Sequence, residues 1–177
     1  MSPLDAVWEW YEVACDSMRF AAHRIRTQPE EVSAWPALSP MDTDVAVEKL
    51  RKTQAELDDL TVLALFAVFE QALLDRLAAA SKTLQQTVVT AIEKSLAAAA
   101  LGNLDRWPLD DILNVCKAEV DPEVVGLVKQ VKAYRDWVAH GKKRKPSARI
   151  VPREAHDRLS EFLRALRIAI SPNPATP

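Results

Sequence analysis

Glycine and cysteine are scarce in this chain of 177 residues, which contains three glycines and two cysteines. A β-sheet protein would need more glycine at its turns and more alternation of Val, Ile and Thr along its strands. Cys15 and Cys116 lie far apart without a CxxC or Cys/His spacing, so we interpret them as small buried side chains rather than metal ligands. Hydrophobic residues, chiefly Ala and Leu, make up 49% of the chain. This composition predicts a single domain of packed helices.

The sequence also lacks a strong charge of either sign and a long apolar segment. Its net charge of −2 argues against a protein that coats nucleic acid non-specifically. The longest apolar run, from Leu60 to Phe69, is too short to span a bilayer. The N-terminal residues include Asp5, where a secretory signal would carry basic residues. We therefore expect a cytoplasmic protein with no membrane partner.

Proline is comparatively frequent, and none of the 11 prolines falls within a periodic apolar segment. Several stand at the start of such a segment with an acidic residue after them, which is typical of the first turn of a helix. On this basis we predict helices over about residues 4–26, 40–80, 81–101, 108–119, 122–140 and 152–170. The prediction is an all-α bundle of five to six helices, with an up-down core and a long central helix, in one domain over 1–170. The Pro-rich tail over 171–177 is predicted to be disordered.

The helix predicted over 122–140 carries a charged residue on its apolar face. Its apolar positions recur at steps of three and four residues and are Val124, Leu127, Val128, Val131, Tyr134 and Val138. At about 100° per residue, Arg135 falls within this stripe. A guanidinium aimed at apolar surroundings needs a partner, because burying an unpaired charge is costly. Glu70, which closes the apolar run of the second helix, has the same need with the opposite sign. We therefore predict that Glu70 holds Arg135, or another cation of this site, by a charge-assisted hydrogen bond.

His140 follows Arg135 by five residues, which places the two side chains roughly 140° apart on an ideal helix. Gly141 comes next, so the helix is predicted to end or loosen there, which would let the imidazole swing toward Arg135. The alternative is that a second chain completes the site across a two-fold axis. A basic run follows at Lys142, Lys143, Arg144 and Lys145. It is either a solvated loop or a rim that binds phosphates.

The pattern Arg135, Asp136, three further residues and His140 resembles the R-x(4–6)-H signature of the HEPN superfamily of helical domains. The segment Tyr-Arg-Asp-Trp-Val-Ala-His-Gly, residues 134–141, is similar to the branch that includes the RiboL-PSP-type HEPN domains. The resemblance covers roughly residues 40–170. It implies a HEPN-like bundle to which the first helix is an addition.

The resemblance implies a homodimer in which two Arg/His motifs form one composite site for endonucleolytic cleavage of RNA. No metal or cofactor is required, because RNA supplies its own 2′-hydroxyl nucleophile. His140 would act as general acid or base, and Arg135 would stabilise the negative charge of the transition state. Asp136 would orient the histidine or shape the site, with Glu70 and Tyr134 as supporting residues. Since such domains are widespread in toxin–antitoxin and antiviral systems, a toxin or defence effector is implied, with an antitoxin or regulatory protein as a possible partner.

Two alternatives remain open for the motif. A non-catalytic HEPN-like module would bind RNA, a nucleotide or a partner protein through the same dimeric groove. A purely structural role is the other alternative, with Arg135 as an ordinary salt-bridge residue and His140 as a helix C-cap.

The other ionisable residues are interpreted as structural. His23 and His156 lie among charged residues and are predicted to be at the surface. The carboxylate pair Asp58-Asp59 is predicted to lie on a helix face, and the pair Asp110-Asp111 is predicted to lie in the first turn of a helix. We predict neither a hydrolase dyad nor a metal site from them.

Overall fold

The structure, a computed structural model, describes residues 2–30, 37–38, 42–87, 90–103, 106–143, 146 and 148–170. These residues form six α-helices and no strand. The helices are α1 (Asp5–Thr27), α2 (Thr43–Thr87), α3 (Ala91–Gly102), α4 (Leu109–Cys116), α5 (Pro122–Ala139) and α6 (Pro152–Ile170). The predicted all-α bundle with a long helix is therefore confirmed, whereas the predicted tail over 171–177 lies outside the described residues. Within the described part, none of the helices is long and apolar enough to cross a membrane.

The boundary predicted between the second and third helices, at Ser81, is wrong. α2 continues to Thr87 and α3 begins at Ala91, because no Pro or Gly interrupts the chain near Ser81. The true start of α3 has its own signal in a capping box. Thr90 Oγ1 accepts a hydrogen bond from the Glu93 backbone N–H at 3.2 Å, and the Glu93 carboxylate accepts one from the Thr90 N–H at 3.0 Å.

α2 is the central helix of the bundle and packs against α1, α3, α5 and α6. Its core side chains are fully buried and lie on one stripe, at Val62, Leu65, Phe66, Phe69 and Leu73. The Phe69 ring meets the Phe162 ring of α6 edge-on, with 5.5 Å between centroids. Leu60, in contrast, is 56% exposed, so the apolar run is buried on most sides but not on all of them.

The two ends of α1 anchor it to the rest of the bundle. Leu4, just before the helix, is fully buried in the main core, and Ile25 belongs to a second, smaller core with Leu38 and Ala46. The two cysteines are buried free thiols, as predicted.

The prediction that His156 lies at the surface is wrong, because α6 packs against the start of α1. The His156 side chain is only 17% exposed, and its Nε2 lies 3.5 Å from Asp5 Oδ1. Its imidazole centroid lies 5.2 Å from the Trp8 ring. His23, on the outer face of α1, is exposed as predicted.

Candidate functional site

The start of α5 is fixed by residues that favour a helix N-terminus. The Asp121 carboxylate accepts a hydrogen bond from the Glu123 backbone N–H at 2.7 Å, and Pro122 occupies the first turn. The buried face of the helix carries Val125, Val128, Val131 and Tyr134. This anchored helix determines where the candidate residues at its C-terminal end lie.

α5 ends in a Schellman motif immediately after His140. The Gly141 N–H donates to the Val138 carbonyl at 3.1 Å, and the Lys142 N–H donates to the Trp137 carbonyl at 3.0 Å. Gly141 has a φ of 77°, and Lys142 has a φ of 57°, which is unusual for a residue with a Cβ. His140 is the C-cap residue, so the prediction that the helix ends at Gly141 is confirmed.

Arg135 has three partners around its guanidinium. Nη2 lies 3.3 Å from Glu70 Oε2, and Nη1 lies 2.9 Å from Asp136 Oδ1. The guanidinium carbon also lies 4.5 Å from the centre of the Phe66 ring, which is a cation–π geometry. The predicted hydrogen bond between Glu70 and Arg135 is therefore present. It joins α2 to α5 and holds the guanidinium at the edge of the core.

Asp136 extends this charged network to α4. Its second carboxylate oxygen accepts a hydrogen bond from Lys132 Nζ at 3.1 Å, and Lys132 Nζ also lies 3.2 Å from Asp110 Oδ2. Burial alone would lower the pKa of Lys132, but its hydrogen bonds to Asp136 and Asp110 outweigh that effect and raise it. Asp136 thus contacts Arg135 rather than the histidine, so of its two predicted roles only the shaping of the site fits this geometry.

His140 is exposed, and its imidazole takes part in none of the side-chain hydrogen bonds or ion pairs found among the described residues. Arg135 is turned toward Phe66 and Glu70 instead. The structure therefore brings both motif residues to the same end of α5 without joining them within one chain.

A second polar cluster, which the sequence analysis missed, lies beside the end of α5. Asp59 of α2 is 8% exposed. Its Oδ1 accepts a hydrogen bond from the Tyr134 hydroxyl at 2.6 Å, and its Oδ2 lies 2.7 Å from Lys142 Nζ. Lys142 Nζ also lies 2.7 Å from Glu56 Oε2. Asp59 lies on a helix face, as predicted for the pair Asp58-Asp59, but this face is buried and pairs Asp59 with Tyr134 and Lys142.

The pKa values in this cluster follow from its geometry. Burial raises the pKa of Tyr134 to about 12, with further contributions from its hydrogen bond to Asp59 and from the negative charge of Asp59. The pKa of Lys142 is also raised, first by its hydrogen bonds to Asp59 and Glu56. The neutral phenol and the charged ammonium are therefore the forms that the folded protein stabilises.

The residues of the basic run over 142–145 differ in their surroundings. Lys142 was predicted to bind phosphate, but its ammonium is held between two carboxylates, so its observed contacts are structural. Lys143 is exposed. Arg144 and Lys145 lie outside the described residues. The part of the predicted rim that the structure describes and leaves exposed is therefore Lys143.

No cluster of three or more His, Cys, Asp or Glu side chains that could hold a metal ion occurs among the described residues. Comparisons of the chain with models of protein families, with curated proteins and with solved structures find no match. The resemblance to HEPN domains therefore rests on the residues of the motif and stays a prediction.

Proposed function

We propose that this chain is a metal-independent endoribonuclease of the HEPN type, active as a cytoplasmic homodimer, and that it serves as a toxin or antiviral effector. One observation carries the proposal. At the end of α5, Arg135 is held in place by Phe66 and Glu70, while His140 is exposed at the point where the helix stops. A fixed cation and an exposed imidazole are the two groups that acid–base cleavage of a phosphodiester needs.

The proposed reaction uses the 2′-hydroxyl of RNA as the nucleophile. The His140 imidazole of one copy removes the 2′-hydroxyl proton, and the oxygen attacks the adjacent phosphorus. The bond from phosphorus to the 5′-oxygen breaks, and the protonated His140 of the other copy returns a proton to that oxygen. The products are a 2′,3′-cyclic phosphate and a 5′-hydroxyl.

Arg135 retains hydrogen-bond donors for this reaction. A guanidinium has five N–H groups, and the contacts with Glu70 and Asp136 use only part of this capacity. The remaining groups stabilise the extra negative charge that develops on the phosphoryl oxygens. Lys143, with Arg144 and Lys145, contributes positive charge for the flanking phosphates.

The separation of Arg135 from His140 within one chain supports the need for a second copy. Because Arg135 is turned toward α2, its approach to His140 requires either a rearrangement at Gly141 or the motif of a partner chain. A two-fold arrangement supplies two His140 imidazoles, one as base and one as acid, whereas a single chain supplies one.

The test is incubation of the purified protein with RNA in the presence of EDTA. We expect cleavage to 2′,3′-cyclic phosphate ends by the wild type, and its loss in both Arg135→Ala and His140→Ala. Arg19→Ala and His23→Ala are matched controls, because both residues are exposed on α1, and both variants should cleave normally. Intact RNA with the wild type, or full activity in either motif variant, would overturn the proposal.

The runner-up function is a non-catalytic module that binds RNA, a nucleotide or a partner protein through the same surface. It is favoured by the absence, among the described residues, of a side chain that orients the His140 imidazole, since catalytic histidines are commonly held by a second group. In this case the wild type binds RNA without cutting it, and Arg135→Ala weakens binding.

A further inference from the structure

One buried carboxylate, Asp59 on α2, is bonded to residues on both sides of His140 in the chain. Tyr134, which precedes His140, donates to Asp59 Oδ1 at 2.6 Å, and Lys142, which follows it, places Nζ 2.7 Å from Asp59 Oδ2. We propose that Asp59 is a positioning residue that fixes the end of α5, and with it His140, in the place that RNA cleavage requires. The catalytic part of this inference rests on the proposed function, whereas the structural part does not.

The backbone beyond His140 needs such support. Lys142 adopts a φ of 57°, in the left-handed region that residues with a Cβ rarely occupy. Conformations of this kind persist where the surrounding structure holds them. For Lys142 the holding groups are the carboxylates of Asp59 and Glu56, each 2.7 Å from its ammonium.

Asp59 is the more effective of the two carboxylates. The Asp59 side chain is 12% exposed, whereas the Glu56 side chain is 68% exposed. Solvent screens an exposed ion pair, so the contact with Glu56 adds little rigidity. Charge-assisted hydrogen bonds in a buried setting are short and strong. Asp59 also reaches α5 through Tyr134, and Glu56 has no such second link among the described contacts.

The position of His140 depends on this backbone. Since no described side chain hydrogen-bonds the imidazole, its place is set by the C-cap and by the residues on either side of it. Loosening the segment after α5 should therefore misplace the imidazole. A misplacement of this kind lowers the rate of the chemical step and leaves substrate binding largely intact.

The test compares Asp59→Asn with Asp58→Asn. Asp58 is the adjacent carboxylate on α2 and has a similar number of hydrogen bonds, but to Tyr11 and Gln54, both at 2.8 Å. Amide hydrogen exchange is measured at Gly141 and Lys142, whose N–H groups are bonded within the Schellman motif. RNA cleavage is measured under steady-state conditions with the same preparations.

We expect Asp59→Asn to speed exchange at both amides by about tenfold or more, because a charge-assisted hydrogen bond is weakened. Its kcat should fall by roughly 10-fold to 100-fold while KM stays within about threefold of the wild type. Asp58→Asn should leave both the exchange rates at Gly141 and Lys142 and the kcat unchanged. Exchange at the core residues Phe66 and Val128 reports global unfolding and should stay far slower than exchange at Gly141 and Lys142, which shows that the latter two amides report local opening.

The outcomes separate the two proposals. Unchanged exchange at Gly141 and Lys142 in Asp59→Asn overturns the positioning role, and so does faster exchange with an unchanged kcat. A wild type that leaves RNA intact overturns the proposed function, and the exchange comparison then still decides whether Asp59 holds this segment. If Asp59→Asn fails to fold, Lys142→Met replaces it. That variant leaves the bond between Asp59 and Tyr134 in place and should speed exchange at the same amides.

Discussion

Glu70 on α2 accepts a hydrogen bond from the Arg135 guanidinium on α5 at 3.3 Å, although 65 residues separate the two in the chain. The side chains are partly exposed, by 26% for Arg135 and 39% for Glu70. Water therefore screens the pair, and its contribution to stability is modest. Its main effect is geometric, because it holds one edge of a guanidinium whose face lies on the Phe66 ring.

Glu70→Gln should affect function more than stability. The amide keeps the size of the side chain and can still accept a hydrogen bond, but it removes the charge that orients Arg135. We expect the free energy of unfolding to fall by less than about 1 kcal/mol in urea titrations, and RNA cleavage to fall by a clearly larger factor. Glu48→Gln is the control, because Glu48 pairs with Arg51 on the exposed side of α2. Cleavage by Glu70→Gln at the wild-type rate would contradict the orienting role.

Phe66 combines a core function with a contact to Arg135, and the two can be separated. Phe66 and Phe162 are both fully buried, and replacing either by Ala should cost about 3–5 kcal/mol of stability. Replacement by Leu keeps most of the buried apolar volume and should cost less than about 1.5 kcal/mol in either position. We expect Phe66→Leu to reduce RNA cleavage more than Phe162→Leu, because only Phe66 stacks on the guanidinium. Equal effects on cleavage would assign the ring to packing alone.

The helical class, the position of α5 and the bond between Glu70 and Arg135 could be predicted from the sequence for two physical reasons. Each follows from local periodicity or from the cost of leaving a charge unpaired near a core. The wrong boundary at Ser81 shows the limit of this reasoning. Ser81 lies inside the continuous helix α2. The capping box formed by Thr90 and Glu93 is the stronger signal for the start of α3.

The sequence interpretation places Asp59 on a helix face together with its neighbour Asp58, and the pair by itself does not indicate that Asp59 is buried. Its spacing to the core residues Val62, Phe66 and Phe69 is that of one buried helix stripe, and this pattern was readable in the sequence. Its partners were not, since Tyr134 and Lys142 reach it only through the packing of α5 on α2. The partial burial of His156 likewise depends on the contact between α6 and the start of α1, which no local pattern indicates.

The two tyrosines of the chain should resist ionisation in the folded state. The pKa of Tyr134 is raised to about 12, and that of Tyr11 is raised further, first by burial and then by hydrogen bonds to Cys15 and Asp58. A raised folded-state pKa means that the stabilisation is complete below the unfolded value of about 10 and is lost as pH rises toward 12. We expect little tyrosinate absorbance at pH 10 in the folded protein, and ionisation of about half of the tyrosines at that pH after unfolding in urea.

Tyr134→Phe tests which tyrosine is responsible for the loss of stability above pH 10. It removes the hydroxyl that donates to Asp59, so the loss between about pH 10 and 12 should become smaller than in the wild type. At neutral pH the variant should lose about 1–3 kcal/mol, because Asp59 keeps its burial and loses one hydrogen bond. Tyr11→Phe is the matched control, since it removes the equivalent bond to Asp58. An unchanged unfolding free energy in Tyr134→Phe at neutral pH would show that water replaces the phenol.

Mixing the wild type with His140→Ala tests whether the site is composite. If Arg135 and His140 act within one chain, every wild-type chain keeps its activity, and cleavage falls only in proportion to the wild-type fraction. If the site needs the His140 imidazoles of both copies, a mixed dimer lacks one of them, and cleavage falls more steeply than the wild-type fraction. We expect this steeper fall after the two proteins are unfolded together and refolded, measured against the wild type refolded alone at the same concentration. The separation of Arg135 from the exposed His140 within one chain is the structural reason for expecting it. Cleavage proportional to the wild-type fraction in a mixture that contains mixed dimers would contradict a shared site.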